Sequence, residues 1–231
     1  DVRGELVQLT SSYQTLIRGH DYPAPVQELL GQMMAAVSLL TATLKFNGHI
    51  AVQLQGDGPL NFIAVNGNHN QELRGIARLR SELEATDLRS MIGKGQLVIT
   101  LTPDTGERYQ GVVSADADSI STMLENYFEQ SEQLHTRVWL HADGEHAAGM
   151  LLQRLPATGK DLSGFEHLAT LTDTITAKEI YTFFFFRNFI KRRRFRCCDN
   201  VSWFFFPSYG LTGSRNSTFI GVPITPSALR K

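Results

Sequence analysis

Between Pro25 and Phe46 the apolar residues Val26, Leu29, Leu30, Met33, Val37, Leu40 and Leu44 recur at steps of three and four, behind a proline start signal. That spacing predicts one long helix with an apolar stripe, which the rest of the chain must cover. Glu28, Gln32 and Lys45 lie off the stripe, so the segment reads as a packed helix and not as a membrane span.

The next segments have the other period. In His49–Gln55, Ile50, Val52 and Leu54 alternate with polar residues; Gly56-Asp57-Gly58-Pro59 interrupts, and Leu60–Val65 resumes as a second strand, a hairpin pattern. Leu73–Leu79, Gln96–Thr102 and Glu107–Ala115 read as further strands, the last two joined by the turn Pro103-Asp104-Thr105-Gly106. A second helix follows, with Ile120, Met123, Leu124, Tyr127 and Phe128 on one face and Asp118 or Ser119 as its cap. Strands Arg137–His141 and Ala148–Leu155 come next, and a helix carrying Phe165, Leu168, Leu171 and Ile175 closes the series. Hairpins with helices at the ends and one in the middle predict an α+β fold, antiparallel sheets with flanking helices. The strict strand–helix alternation of a doubly wound nucleotide fold is missing.

After Ile180 the periodicity stops. Residues 181–231 hold nine of the 22 Lys and Arg against Asp199 alone, and ten of the 14 Phe, in runs such as Phe183–Phe186 and Phe204–Phe206. Residues 1–180 are left with 13 bases and 22 acids. An acidic body disfavours nucleic acid and anionic membrane as principal partners. The division expected is therefore 1–180 as a folded core and 181–231 as an anomalous basic, Phe-rich tail. Such a tail reads as out-of-frame coding or a sequencing error, since a shifted frame through Ser- or Leu-rich codons gives Phe runs; a genuine appendage is the other reading. The two cysteines, Cys197 and Cys198, are adjacent and build no disulfide framework, which points to a reducing, cytoplasmic compartment. No basic-then-apolar leader opens the chain, and because position 1 is Asp, the first residues are expected to have been trimmed.

Candidate chemistry is sparse. Gly93-Lys94-Gly95 suggests a phosphate loop, but such a loop opens a helix and here a strand follows, so a turn is expected. His141 and His146, with Asp143 and Glu145 between them, have a spacing that suits a metal, against which Asp143-Gly144 reads as a hairpin tip. Glu5, Asp57 and Glu107 are the carboxylates available for acid–base pairing; each reads as a turn or surface residue. There is no Gly-x-Ser-x-Gly elbow. Lys191–Arg194 beside Phe and Trp resembles a nucleic-acid or membrane-surface patch, and Cys197-Cys198 a vicinal disulfide or half a metal site. The expectation is no catalytic residue and no metal ligand, with any client-binding residues unassigned.

Several stretches in order carry a resemblance. They are Val2-Arg3-Gly4-Glu5-Leu6-Val7, Leu39-Leu40-Thr41-Ala42-Thr43-Leu44-Lys45-Phe46, Val52-Gln53-Leu54-Gln55-Gly56-Asp57-Gly58-Pro59 and Gly106-Glu107-Arg108-Tyr109-Gln110-Gly111-Val112-Val113. Tyr127-Phe128 with Ser131-Glu132-Gln133, then Gly149-Met150-Leu151-Leu152-Gln153 and His167-Leu168-Ala169-Thr170-Leu171-Thr172, complete them. Together they resemble the core domain of the redox-regulated 33 kDa heat-shock chaperone family over nearly all of 1–180. His135 stands where that family would have Pro.

The resemblance implies an ATP-independent holdase of the bacterial cytoplasm, not an enzyme, that binds unfolding client proteins under heat or oxidative stress and forms homodimers. It also implies, for the family, one zinc held by four C-terminal cysteines as Cys-x-Cys and Cys-x-x-Cys, lost on oxidation so that an adjacent linker unfolds. Cys197-Cys198 matches neither spacing, so no metal residue carries over and no cofactor is expected in this chain. The chain is then either a constitutively competent core or inactive. The alternatives are a hydrolase or transferase of unknown substrate, and a chaperone-like core with a membrane- or RNA-binding tail.

Overall fold

Two antiparallel sheets enclose one long helix in the computed structural model, which describes residues 2–84, 86–155, 163–182 and 201–206. In chain order the elements are β1 (Val2–Leu9), α1 (Ser11–Arg18), α2 (Ala24–Thr43), β2 (Gly48–Gly56), β3 (Leu60–Asn68), β4 (Leu73–Leu79), α3 (Leu88–Ile92), β5 (Gly95–Pro103) and β6 (Tyr109–Ser114). Then follow α4 (Ile120–Tyr127), a π-helical turn at Phe128–Glu132, β7 (Thr136–Ala142), β8 (Ala147–Arg154), α5 (Ser163–Asp173), α6 (Ala177–Thr182) and β9 (Val201–Phe206). The five-stranded sheet runs β4-β3-β2-β5-β6 and the four-stranded sheet β7-β8-β1-β9. The α+β reading of the sequence holds.

The helix expected from Pro25 to Phe46 spans Ala24–Thr43, and it is not one-sided. Every residue from Met33 to Ala42 is buried, because α2 packs against β2, β3 and β4 of one sheet and β1, β7 and β8 of the other. A helix held on two sides needs small residues where backbones close in. At Gly31 a Cβ would lie 2.7 Å from that of Ala142 and 2.9 Å from the Tyr13 ring, closer than atoms pack.

The five-stranded sheet follows its alternation. Ile50, Val52, Leu54, Ile63, Val65, Leu97 and Ile99 join the core around α2, while the intervening residues of each strand face away from it. Both expected hairpins form: β2 pairs with β3 around Gly56–Pro59, and β5 with β6 around the turn at 103–106. Ser119, not Asp118, caps α4, accepting the Thr122 N–H at 3.1 Å.

Strand β1 departs from expectation. Its sequence Val2–Leu9 does not alternate, since all but Arg3 is buried: the strand lies between β8 and β9 with both faces covered. Helices α1, α3 and α6, of eight, five and six residues, are too short to carry a readable period. Within the segment read as patternless, Val201–Phe206 forms β9, antiparallel to β1 with Val2 opposite Phe206. Lys191–Arg194 and Cys197-Cys198 lie outside the described residues.

Candidate functional site

The four-stranded sheet presents two unlike faces, and alternation along β1 assigns them. Val7 and Leu9 belong to the main core around α2, so Arg3 and Glu5 point the same way; Val2 and Leu6 point to the other side. On that second side the register places Trp139, Met150 and Leu6 in one row and Arg137, Leu152 and Gly4 in the next. Val2, Leu6, Met150 and Leu152 are buried there by Phe165 of α5, with Trp139, Leu168 and Ile175 packed around them. This small apolar cluster is separate from the main core.

The cover of that face is thin and tied by polar contacts. Asp173 Oδ1, near the end of α5, accepts from Arg137 at 3.1 Å and from the Trp139 indole at 2.9 Å. Arg137 also lies 5.5 Å from the Trp139 ring centroid and reaches Glu125 Oε1 of α4 at 3.3 Å. At the other end the Gln8 amide donates to the Ile180 carbonyl of α6, and Tyr181 lies against His146 with ring centroids 5.4 Å apart. Arg137 and Asp173 are both well exposed, and an ion pair in water contributes at most about 1 kcal/mol. Leu171 of α5 is 53% exposed. Lifting α5 and α6 would uncover Val2, Leu6, Met150, Leu152 and Trp139, an apolar strip on a rigid sheet.

The α2-facing side holds the one pair of ionisable side chains of β1, Arg3 and Glu5. Arg3 Nε donates to Glu5 Oε1 at 2.7 Å, and its Nη2 to the Ala42 carbonyl at the C-terminal end of α2 at 3.0 Å. Glu5 is fully buried, and its Oε2 finds no hydrogen-bond partner among the described residues. Burial pushes the Glu5 carboxyl up to about 8, outweighing the attraction of Arg3.

The other sequence candidates do not converge. Asp57 sits at the β2–β3 tip, where its Oδ1 accepts the Lys94 N–H at 2.7 Å. Glu107 is exposed beside the β5–β6 turn, at the opposite end of the five-stranded sheet, and Glu5 belongs to the other sheet. No pair of these carboxylates shares a site. Gly93-Lys94-Gly95 is a turn from α3 into β5, with Gly93 at φ 69° as the helix stop. Asp143 closes the β7–β8 tip by accepting the N–H groups of Glu145 and His146 at 2.7 and 2.6 Å, so its carboxylate is turned inward. Burial lowers the pKa of His141, which lies on the covered face opposite Ala148. Among the described residues no group of three or more His, Cys, Asp or Glu is placed to hold a metal.

Sequence reasoning left the covered face and the Arg3–Glu5 pair unassigned. A signal was present: Ala147–Leu152 of β8 is apolar without alternation, the mark of a strand covered on both sides.

The family described as Hsp33 protein matches residues 1–192. The chain is 59% identical over 182 residues to the 33 kDa chaperonin of Shewanella woodyi, covering 78% of this chain and 64% of that protein. It is 58% identical over 182 residues to the 33 kDa chaperonin of Shewanella sediminis, with the same coverage. The chain thus spans just under two thirds of the length of these relatives. Among solved structures, the 33 kDa chaperonin of Thermotoga maritima superposes with a TM-score of 0.69 at 18% identity, over 78% of this chain and 66% of that one, a likeness of fold.

Proposed function

The chain belongs to the Hsp33 family, and from that premise we propose that it is a non-enzymatic, ATP-independent holdase that binds unfolding proteins and keeps them from aggregating. One observation carries the reading: a sheet anchored on α2 has a second apolar face that, among the described residues, is covered by α5 and α6. A holdase needs apolar surface that is hidden at rest and exposed at small cost. Val2, Leu6, Met150, Leu152 and Trp139 are the residues we assign to client contact.

The family's zinc does not fit the donors present. Cys197 and Cys198 are adjacent, matching neither Cys-x-Cys nor Cys-x-x-Cys, and the described residues gather no alternative set. On this reading residues 1–180 are a chaperone core whose client binding does not depend on metal release. Two copies associate in the bacterial cytoplasm through this apolar face once α5 and α6 lift from it. Among the described residues no helix is long and apolar enough to cross a membrane.

Light scattering of heat-denaturing citrate synthase, with and without peroxide, tests this. Suppression of aggregation to the same extent in both is expected. Protection that appears only on oxidation and reverses with dithiothreitol overturns the constitutive reading, and no protection in either condition overturns the holdase reading for this chain.

A further inference from the structure

A cleft of about 660 Å³ opens at one end of the five-stranded sheet, on the face turned away from α2 and far from the covered face of the other sheet. Three cations line it, Arg78, Arg80 and Lys94, on a body that is otherwise acidic. Among the described residues none of the three has a carboxylate within ion-pair distance of its side chain. Three cations against the single lining carboxylate, Asp57, leave the cleft net positive, against the acidic trend of residues 1–180.

The cations are also positioned. Phe62 lies opposite Arg78 in the β3–β4 register, and the guanidinium rests 5.9 Å from the ring centroid, which limits its rotamers. Arg80 donates through Nη1 to the Asp57 carbonyl at 3.2 Å, leaving its other N–H groups for a ligand. Lys94 is fixed through its backbone: its N–H donates to Asp57 Oδ1, and its carbonyl accepts from the Asp57 N–H at 3.1 Å. That double tie locks the β2–β3 tip to the turn before β5, and it engages one oxygen of the only carboxylate in the lining. Gln55 and Gln96, neighbours across β2 and β5, add side-chain amides to the floor.

We propose that this cleft binds a phosphate-bearing anion, a phosphate chain either free or carried by a nucleotide. Arg78, Arg80 and Lys94 line one volume of ligand size, and guanidinium geometry matches phosphate oxygens two at a time. The mode differs from a phosphate loop, because the donors are side chains on strands β4 and β5 and their flanks instead of helical N–H groups. The site is independent of the holdase reading and stands if that reading fails.

Titration calorimetry of the 231-residue protein with inorganic tripolyphosphate, and separately with ATP, at low and physiological salt tests the proposal. Saturable binding that weakens with salt is expected, and R78Q/R80Q should lose about tenfold or more in affinity. The control R74Q, on the same strand but outside the cleft, should bind as the parent does. Equal affinity for the two ligands identifies the phosphate chain as the recognised group; tighter ATP binding adds the nucleoside. No saturable binding of either ligand, or equal loss in R74Q and R78Q/R80Q, overturns it. Circular dichroism melts verify that these exposed substitutions leave the fold intact.

Discussion

The two faces of the four-stranded sheet share the same strands and differ in what holds their cover. On the α2 side, Val7, Leu9, Val138 and Leu151 merge into a core continuous through α2 to the other sheet. On the far side, among the described residues, four buried strand residues meet Phe165 with Trp139, Leu168 and Ile175 packed around them, and the polar ties are an exposed ion pair and a few hydrogen bonds. Burial stabilises in proportion to apolar area, so the first face opens only with global unfolding and the second opens locally. A chaperone surface of this kind needs that asymmetry: the sheet must stay folded while its second face becomes available.

Substitutions on the two faces should separate them. Leu30→Ala in α2, at a fully buried position, is expected to cost about 2–5 kcal/mol of global stability, read as a lower midpoint in urea with an unchanged slope. If the midpoint stays put, α2 is not the shared core of both sheets.

The next largest effect concerns the charged pair beneath the same face. Glu5 in the fold titrates near 8 against an ordinary 4.5, so the native state keeps a proton that the unfolded chain releases. Its contribution is therefore full below 4.5 and is lost as pH rises through 8, by up to about 1.4 kcal/mol per unit inside that window. Glu5→Gln should flatten this decline in urea titrations across the window. A variant that keeps the full slope would show that another group is responsible.

Phe165→Ala should have the smallest global effect, because the loss cannot exceed the free energy that holds α5 and α6 in place. Its local effect should be large: faster amide exchange through residues 163–182 and stronger binding of a hydrophobic dye. A fall in global stability as large as that of Leu30→Ala would erase the distinction between the faces.

The parts of the fold legible in the sequence were those with one covered face. Alternation in β2 and β3 reported directly which residues point at α2, and Pro103–Gly106 marked its hairpin because turn chemistry is local. Strand β1 carries one of the family motifs but no strand signal, since a segment buried on both sides has no alternation to read. The candidate site was hidden for the same reason. Trp139 comes from β7 and Asp173 and Phe165 from α5, and only packing of α5 on the sheet brings them together. Glu5 read as an ordinary surface carboxylate; its burial follows from the position of β1 inside the sheet.

By itself the sequence determined the type of the longer elements with one covered face, the hairpins at Gly56–Pro59 and Pro103–Gly106, the compositional break after Ile180 and, through its ordered motifs, the family. These rest on periodicity, turn residues and charge, which act within a few residues along the chain. Tertiary structure alone decided that α2 is enclosed by two sheets, that β1 enters the middle of one of them, and that this sheet has one locked face and one loosely covered face. Those outcomes depend on which segments meet across 100 residues or more, as when Val2 pairs with Arg154, and pairings of that range leave no period in the sequence.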